Sequence, residues 1–258
     1  MSVLVVLPFH QDQILGSDSI AVFGEAPATC IAPRLPDADQ WQRLVTLYDA
    51  LAIEVASQVQ SSGLTTTLTG DCLALLGTLA GAQRGGLDPS LVWFDAHGDV
   101  HTLASSTSGY LGGMALRMAM GGDADKLAGP LGLKPVAEDR AVLVGARDLD
   151  PAEVLYLARS QVQRRAVQEL GADDLPDGPI IVHIDLDVID PAEVPGLRFP
   201  APGGPSKAEV LAAVHRLTSS GRVSVLDVAC PWFEPTDDGQ QRVRRALLTE
   251  LLDRSTNR

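Results

Sequence analysis

The stretch SLVWFDAHGDVHT, Ser90 to Thr102, runs from an apolar segment straight into four polar, ionisable groups at every second position: Asp95, His97, Asp99 and His101. Alternate residues of a strand share a face, so Asp95, His97 and Asp99 project to one side if the strand persists to Asp99. PIIVHIDLDVI, Pro179 to Ile189, repeats the arrangement, with His183, Asp185 and Asp187 on one face at the end of a second apolar run. A strand of this kind belongs in the interior of a parallel sheet, with its polar end at the carboxyl edge where such sheets hold ligands.

Outward from these two segments the chain keeps one rhythm, in which short β-branched runs alternate with longer segments of helical period. SVLVVLPF, TTTLTG, AVLVGARD and RVSVLDVA read as strands. DQWQRLVTLYDALAIEVASQV, CLALLGTLAGAQ, a segment near GGMALRMAM, helices from about Pro151 to Leu170, SKAEVLAAVHRLTSS and GQQRVRRALLTELLDR read as helices. The expected architecture is α/β: three α/β/α layers around a central, mostly parallel sheet, in a single domain over residues 1–258. RFPAPGGPS, between a strand and its crossover helix, reads as a site-forming loop.

The chain has 258 residues, with 20 basic side chains against 33 acidic ones and a formal charge of -13. That charge repels phosphate backbones and anionic membrane surfaces, which argues against nucleic acid as a partner. The apolar opening SVLVVLPF is too short to span a bilayer and lacks the basic leader of a secretory signal, so a cytoplasmic protein with a small-molecule substrate and no membrane partner is expected. Cys30, Cys72 and Cys230 are an odd number without paired spacing, which points to free thiols or a lone ligand, not a disulfide framework.

Both polar rows lie at carboxyl ends, so folding brings four carboxylates and an imidazole into one crevice. Unpaired burial costs roughly several kcal/mol per carboxylate, so the group must take up protons or recruit a cation. Mixed carboxylate and imidazole ligation suits Mn2+, Fe2+ or Zn2+, and bridging carboxylates let two ions sit about 3.5 Å apart around a shared water. A lone Asp in such text is commonly a turn or cap, and a lone His a hydrogen-bonded core residue; two matched rows on separate strands are not explained that way.

These residues resemble the ureohydrolases: the arginases, agmatinases and formiminoglutamases. FDAHGD resembles that family's DAHxD motif, HIDLDVIDP its SxDxDxxDP motif and LTGDCLALLGT its GGDHS segment; STSGYLGGMAL is similar to its SGNLHGMP stretch and VLVGARDLDPAE to its GxRDxDPxE strand. The resemblance implies an arginase- or deacetylase-like fold and a manganese centre in which Asp95 and Asp185 bridge two ions. His97 and Asp187 then complete one site, and Asp99 serves the other together with the residue at position 72. It also implies a homo-oligomer, trimer or hexamer.

Three departures bear on chemistry. Cys72 stands where the family supplies a histidine ligand: as a thiolate it suits Zn2+ or Fe2+ better than Mn2+, and as a thiol it packs as a small hydrophobe. Gly112 stands where arginases carry a proton-shuttling histidine. Cys230 stands where a glutamate pairs with the substrate guanidinium, while Glu234 lies a short loop away and could swing in. His101 matches an asparagine, and Ser108 a serine, that contact the substrate in arginases; His101 is a candidate for substrate contact or replacement proton transfer, and could equally point to solvent. His183 is expected to orient a ligand carboxylate, His10 could reach the crevice from its loop, and His215 has no assigned role.

The expected function is metal-dependent hydrolysis of a linear C–N bond in a guanidine, N-hydroxyguanidine or amidine. Hydroxide held between the ions attacks the planar carbon, Asp95 holds that geometry, and Asp99 manages the proton. Two alternatives remain open at this point: a single-metal, deacetylase-like amide hydrolase, and a non-catalytic binding protein with a degraded centre.

Overall fold

The computed structural model describes residues 4–16, 19–20 and 28–256; Ser2 and Val3 of the first expected strand lie outside them. In chain order the elements are β1 (Leu4–Leu7), β2 (Phe9–His10), β3 (Gln13–Ile14), β4 (Ala28–Cys30), α1 (Gln40–Ser61), β5 (Thr65–Thr69), α2 (Leu75–Arg84), β6 (Ser90–Phe94), α3 (Ala115–Ala119), β7 (Ala141–Val144), α4 (Pro151–Leu157), β8 (Gln163–Arg165), β9 (Ile180–Asp185), α5 (Lys207–Thr218), β10 (Val223–Ala229) and α6 (Asp238–Thr256). Eight strands form one sheet in the order β4-β1-β5-β10-β9-β6-β7-β8, and every neighbouring pair is parallel. β2 and β3 form a small antiparallel ribbon beyond the end of β1.

Strand alternation divides the core in two. Val5, Leu91, Trp93, Leu143 and Ile181 face a layer that includes α1, α2 and α3. Val6, Val92, Phe94, Val182, Ile184 and Val228 face α5 and α6. Both faces of the sheet are therefore covered, which is why its central strands read as unbroken apolar runs. Local signals set the helix starts. The Asp39 carboxylate accepts the Gln42 amide at 3.0 Å, and Ser206 and Glu209 form a reciprocal box at the start of α5. Among the described residues no helix is long and apolar enough to cross a membrane.

The sequence expectation fails between Pro151 and Leu170. Helix persists only to Leu157, and Gln163–Arg165 is a strand that pairs with β7 at the sheet edge. An edge strand with one exposed side keeps polar residues, and Gln-Arg-Arg carries no apolar signal for it.

Candidate metal centre and substrate cleft

β6 and β9 are neighbours, with Trp93 level with His183, so their carboxyl ends open at the same height. The strands stop sooner than the spacing suggested: β6 ends at Phe94, before all of its ionisable groups, and β9 ends at Asp185. The groups converge nonetheless, because each strand finishes in the same aspartate turn. Asp95 Oδ1 accepts the His97 amide at 2.7 Å and Asp185 Oδ1 accepts the Asp187 amide at 2.9 Å. A carboxylate that bonds the backbone two residues on curls the chain and brings the next ligand back to the same side. Asp99 then adopts a left-handed backbone, φ 52°, which aspartate tolerates better than most side chains. Its carbonyl accepts the Arg117 amide from α3, and Gly98 lies so close to the Glu153 carboxylate that a Cβ would fall 2.7 Å from it.

The result is a compact cluster. Asp95, His97 and Asp187 each present an atom within 4.8 Å of the others, as do Cys72, Asp95 and Asp99, so Asp95 belongs to both groups. His97 Nδ1 lies 3.2 Å from Asp95 and 3.2 Å from Asp187. Cys72 arrives from the end of β5, on the far side of β10 from β9, where Asp71 caps the turn leading into α2 by accepting the Leu73 amide at 2.8 Å. Its thiol donates to Asp185 Oδ2 at 2.6 Å. Asp99 Oδ2 is buried without any hydrogen-bond partner.

The electrostatics follow from burial. Removal from water pushes the Asp99 and Asp185 carboxyls well above the usual range, reinforced by the neighbouring carboxylates, and Asp187 rises to about 6. Burial would lift Asp95 as well, but hydrogen bonds and charge from His97 prevail and hold it at about 2. Burial alone would lower His97; its two carboxylate partners drive it up to about 12 instead. Burial and the four carboxylates push the Cys72 thiol up. Such a cluster is short of positive charge.

One cavity of about 270 Å3 opens above it, lined by Cys72, His97, Asp99, Asp185 and Asp187 on its floor. Asp95 lies beneath, 1% exposed. His101 and Ser108 line the walls. His101 does not point to solvent: Nε2 is 3.0 Å from Asp150 and Nδ1 3.1 Å from Ser105. Glu234 does not line the cavity. Its carboxylate accepts the Gly16 amide at 2.9 Å and the Ser19 hydroxyl at 2.5 Å, which ties it to the segment after β3. Cys230 is fully buried behind Pro231, the wall residue at that corner. His10 stays outside the cavity wall, 3.2 Å from the Gly70 carbonyl. Arg147 fastens the RFPAPGGPS loop beside the Asp187 turn by donating to the carbonyls of Ala201, Asp187 and Val188, and that loop brings Phe199 to the cavity.

His183 departs from expectation. Its Nδ1 lies 2.7 Å from Asp227 Oδ2 on β10, not from a carboxylate of the cluster, and its Nε2 has no partner. Thr67, Asp227, His183 and Trp93 are level across four strands, one residue pair below the cluster. Thr67 and Thr78 both donate to Asp227 Oδ1, the latter at 2.7 Å, and the Trp93 ring lies against His183 with centroids 3.9 Å apart. Trp93 Nε1 donates to Asp95 Oδ2 at 2.9 Å, linking the lower row to the upper. The sequence reading did not single out Trp93, Asp227 or Tyr110, which also lines the cavity; only the period-2 spacing of Trp93 before Asp95 hinted at the first.

Comparison with known proteins bears on the family and the fold. The chain is 33% identical to an arginase of Eremothecium gossypii over 190 residues, which is 67% of this chain and 48% of that protein. It is 31% identical over 172 residues to the N(omega)-hydroxy-L-arginine amidinohydrolase of Streptomyces lavendulae, 65% of this chain and 60% of that one. The chain thus spans between about half and two thirds of these relatives. The fold superposes on the crystal structure of arginase from Bacillus cereus with a TM-score of 0.83 at 22% identity, covering 99% of this chain and 98% of that one. The family model described as "Arginase family" matches residues 13–251, and the chain belongs to that family.

Proposed function

We propose that this protein is a metal-dependent hydrolase of a linear C–N bond in a guanidine, N-hydroxyguanidine or amidine. The observation that carries the reading is the pair of ligand groups sharing Asp95 at the floor of a cavity. The residues fit the binuclear manganese centre that the arginase family implies: His97 and Asp187 would hold one ion and Asp99 and Cys72 the other, with Asp95 common to both groups and Asp185 beside them. The unpartnered Asp99 oxygen and the carboxyls raised by burial suit residues that would hold a cation. Cys72 adds a soft donor to an otherwise oxygen and nitrogen set, so Zn2+ or Fe2+ competes with Mn2+ at its position. When bound, the ions supply Lewis acidity and a water activated near neutral pH.

The chain's own residues do the rest. Asp95 holds the geometry of the centre through Trp93 and His97, and Asp99 accepts a proton at its free oxygen. His101, oriented by Asp150 and Ser105, contacts the substrate or moves a proton, and Ser108 contributes to the same wall. Cys230 cannot pair with a guanidinium as a carboxylate would, and Glu234 is engaged elsewhere. An N-hydroxyguanidine, less basic than a guanidine and so less dependent on a pairing carboxylate, is accordingly the favoured probe, in line with what the Streptomyces relative is named for. A cytoplasmic trimer or hexamer completes the proposal.

Elemental analysis of the purified protein, with a screen of guanidino, hydroxyguanidino, formimino and acylamino compounds, tests it. Two ions per chain with release of urea or ammonia is the expected result. One ion with amide cleavage supports the deacetylase-like alternative, and tight ligand binding without turnover supports a non-catalytic protein.

A further inference from the structure

Position 112 has no side chain, yet the space beside it is filled. A Cβ built on Gly112 would lie 2.4 Å from Cε1, 2.7 Å from Cζ and 2.8 Å from the hydroxyl oxygen of Tyr110. The ring from two residues earlier therefore occupies the place that any side chain at 112 would take. The two positions are complementary: a residue larger than glycine at 112 excludes the tyrosine, and the tyrosine requires the glycine.

The ring is held in this place. It stacks near His10, with centroids 5.9 Å apart and planes 18° from parallel, and packs against Phe199 at 4.7 Å. The Ser108 hydroxyl accepts the Tyr110 amide at 3.2 Å, setting the backbone turn that delivers it. Tyr110 lines the cavity together with Cys72, Asp99 and Asp185, and its hydroxyl has no hydrogen-bond partner among the described residues. A phenol that lines the cavity and is left unpaired is available to a bound molecule.

We infer that Tyr110 is the proton donor to the departing nitrogen, its hydroxyl standing in the space that a longer side chain at position 112 would fill. The inference rests on the C–N hydrolase reading of the same cavity. As the carbon–nitrogen bond of the hydrated substrate breaks, its electron pair stays on nitrogen and the proton on Tyr110 Oη transfers to it; water entering the cleft restores the phenol. A donor of this kind contributes most when the leaving group is poor, and least when it departs readily.

The test compares Tyr110→Phe with the unaltered, Mn2+-loaded protein on two probes that differ in the departing nitrogen, L-arginine, which releases an alkylamine, and its guanidinooxy analogue, which releases a less basic alkoxyamine, with metal content measured alongside. The expected result is a fall in kcat of ~100-fold on the poorer leaving group, a distinctly smaller fall on the better one, and unchanged metal content. Tyr110→Asn combined with Gly112→His should recover activity relative to Tyr110→Asn alone, because the imidazole then enters the vacated space. A kcat for Tyr110→Phe within twofold of the unaltered protein overturns the donor role while leaving the hydrolase reading intact. Equal losses on both probes assign Tyr110 a packing role and overturn it too. No turnover of either probe by the unaltered, metal-loaded protein overturns the hydrolase reading and the donor role together.

Discussion

Two rows of polar side chains cross this sheet, and they live under opposite constraints. The upper row, at the strand ends, gathers Asp95, Asp185, Asp187, His97 and Asp99 with too little positive charge to balance them. The lower row, Thr67, Asp227, His183 and Trp93, is sealed from the cavity and satisfies Asp227 with three donors. One row is built to receive something; the other is built to hold still. Departures from the family motifs fall on several levels: Cys72 on the floor, Gly112 and His101 in the walls, and Cys230 buried behind Pro231.

Breaking the lower row should damage the fold before the chemistry. Asp227→Asn puts an amide, with one acceptor oxygen in place of two, before three buried donors, and should cost about 1–3 kcal/mol in urea unfolding. Loss of activity without loss of stability would erase the distinction between the rows.

The upper row should betray itself through pH. Asp99, Asp185 and Asp187 have folded-state pKa values above their unfolded ones, so their contribution to stability is present below about pH 4 and is lost as pH rises through the folded values. For Asp187 that window closes at about 6, at a cost on the order of 3 kcal/mol. His97, raised to about 12, stays charged in both states below pH 6 and adds no slope there, while Asp95, held at about 2, acts only in more acid solution. Metal-free protein should therefore lose Tm between pH 4.5 and 7, and added Mn2+ should remove that loss; a metal-free Tm that rises over this range would contradict the assignment of these shifts.

The link between the rows is a single hydrogen bond. Trp93→Phe keeps the ring against His183 and deletes the donor to Asp95, and should weaken Mn2+ binding by ~10–100-fold with little change in unfolding free energy. An unchanged affinity in a metal titration would make the rows independent. The smallest effect is expected at Glu234, whose exposed carboxylate serves the segment after β3: Glu234→Ala should shift stability by about 0.5 kcal/mol or less and leave KM alone. A raised KM would return it to the substrate, where the sequence reading had put it.

Much of the floor was legible because charge chemistry and strand period speak in the same residues. Asp95, His97, Asp185 and Asp187 were found through a strand rule, although the strands end early and aspartate turns carry the last residues into place. Both rules put alternate residues on one side, so strand and turn deliver these side chains alike. Edge strands were not legible: Gln163–Arg165 and Ala28–Cys30 carry no apolar signature, since half their surroundings are solvent. Nor was the His183 partner, which comes from 44 residues away on β10. Tyr110 was hidden for a different reason, because no spacing reveals that one side chain occupies the space another has vacated.

The central claim is that two remote acidic segments grip shared cations at adjacent strand ends. Metal content by elemental analysis after loading with Mn2+, for the unaltered protein beside Asp185→Ala, tests it most directly. The account predicts two ions per chain in the former and a clear loss in the latter. Equal metal content in both, or none in either, would contradict it.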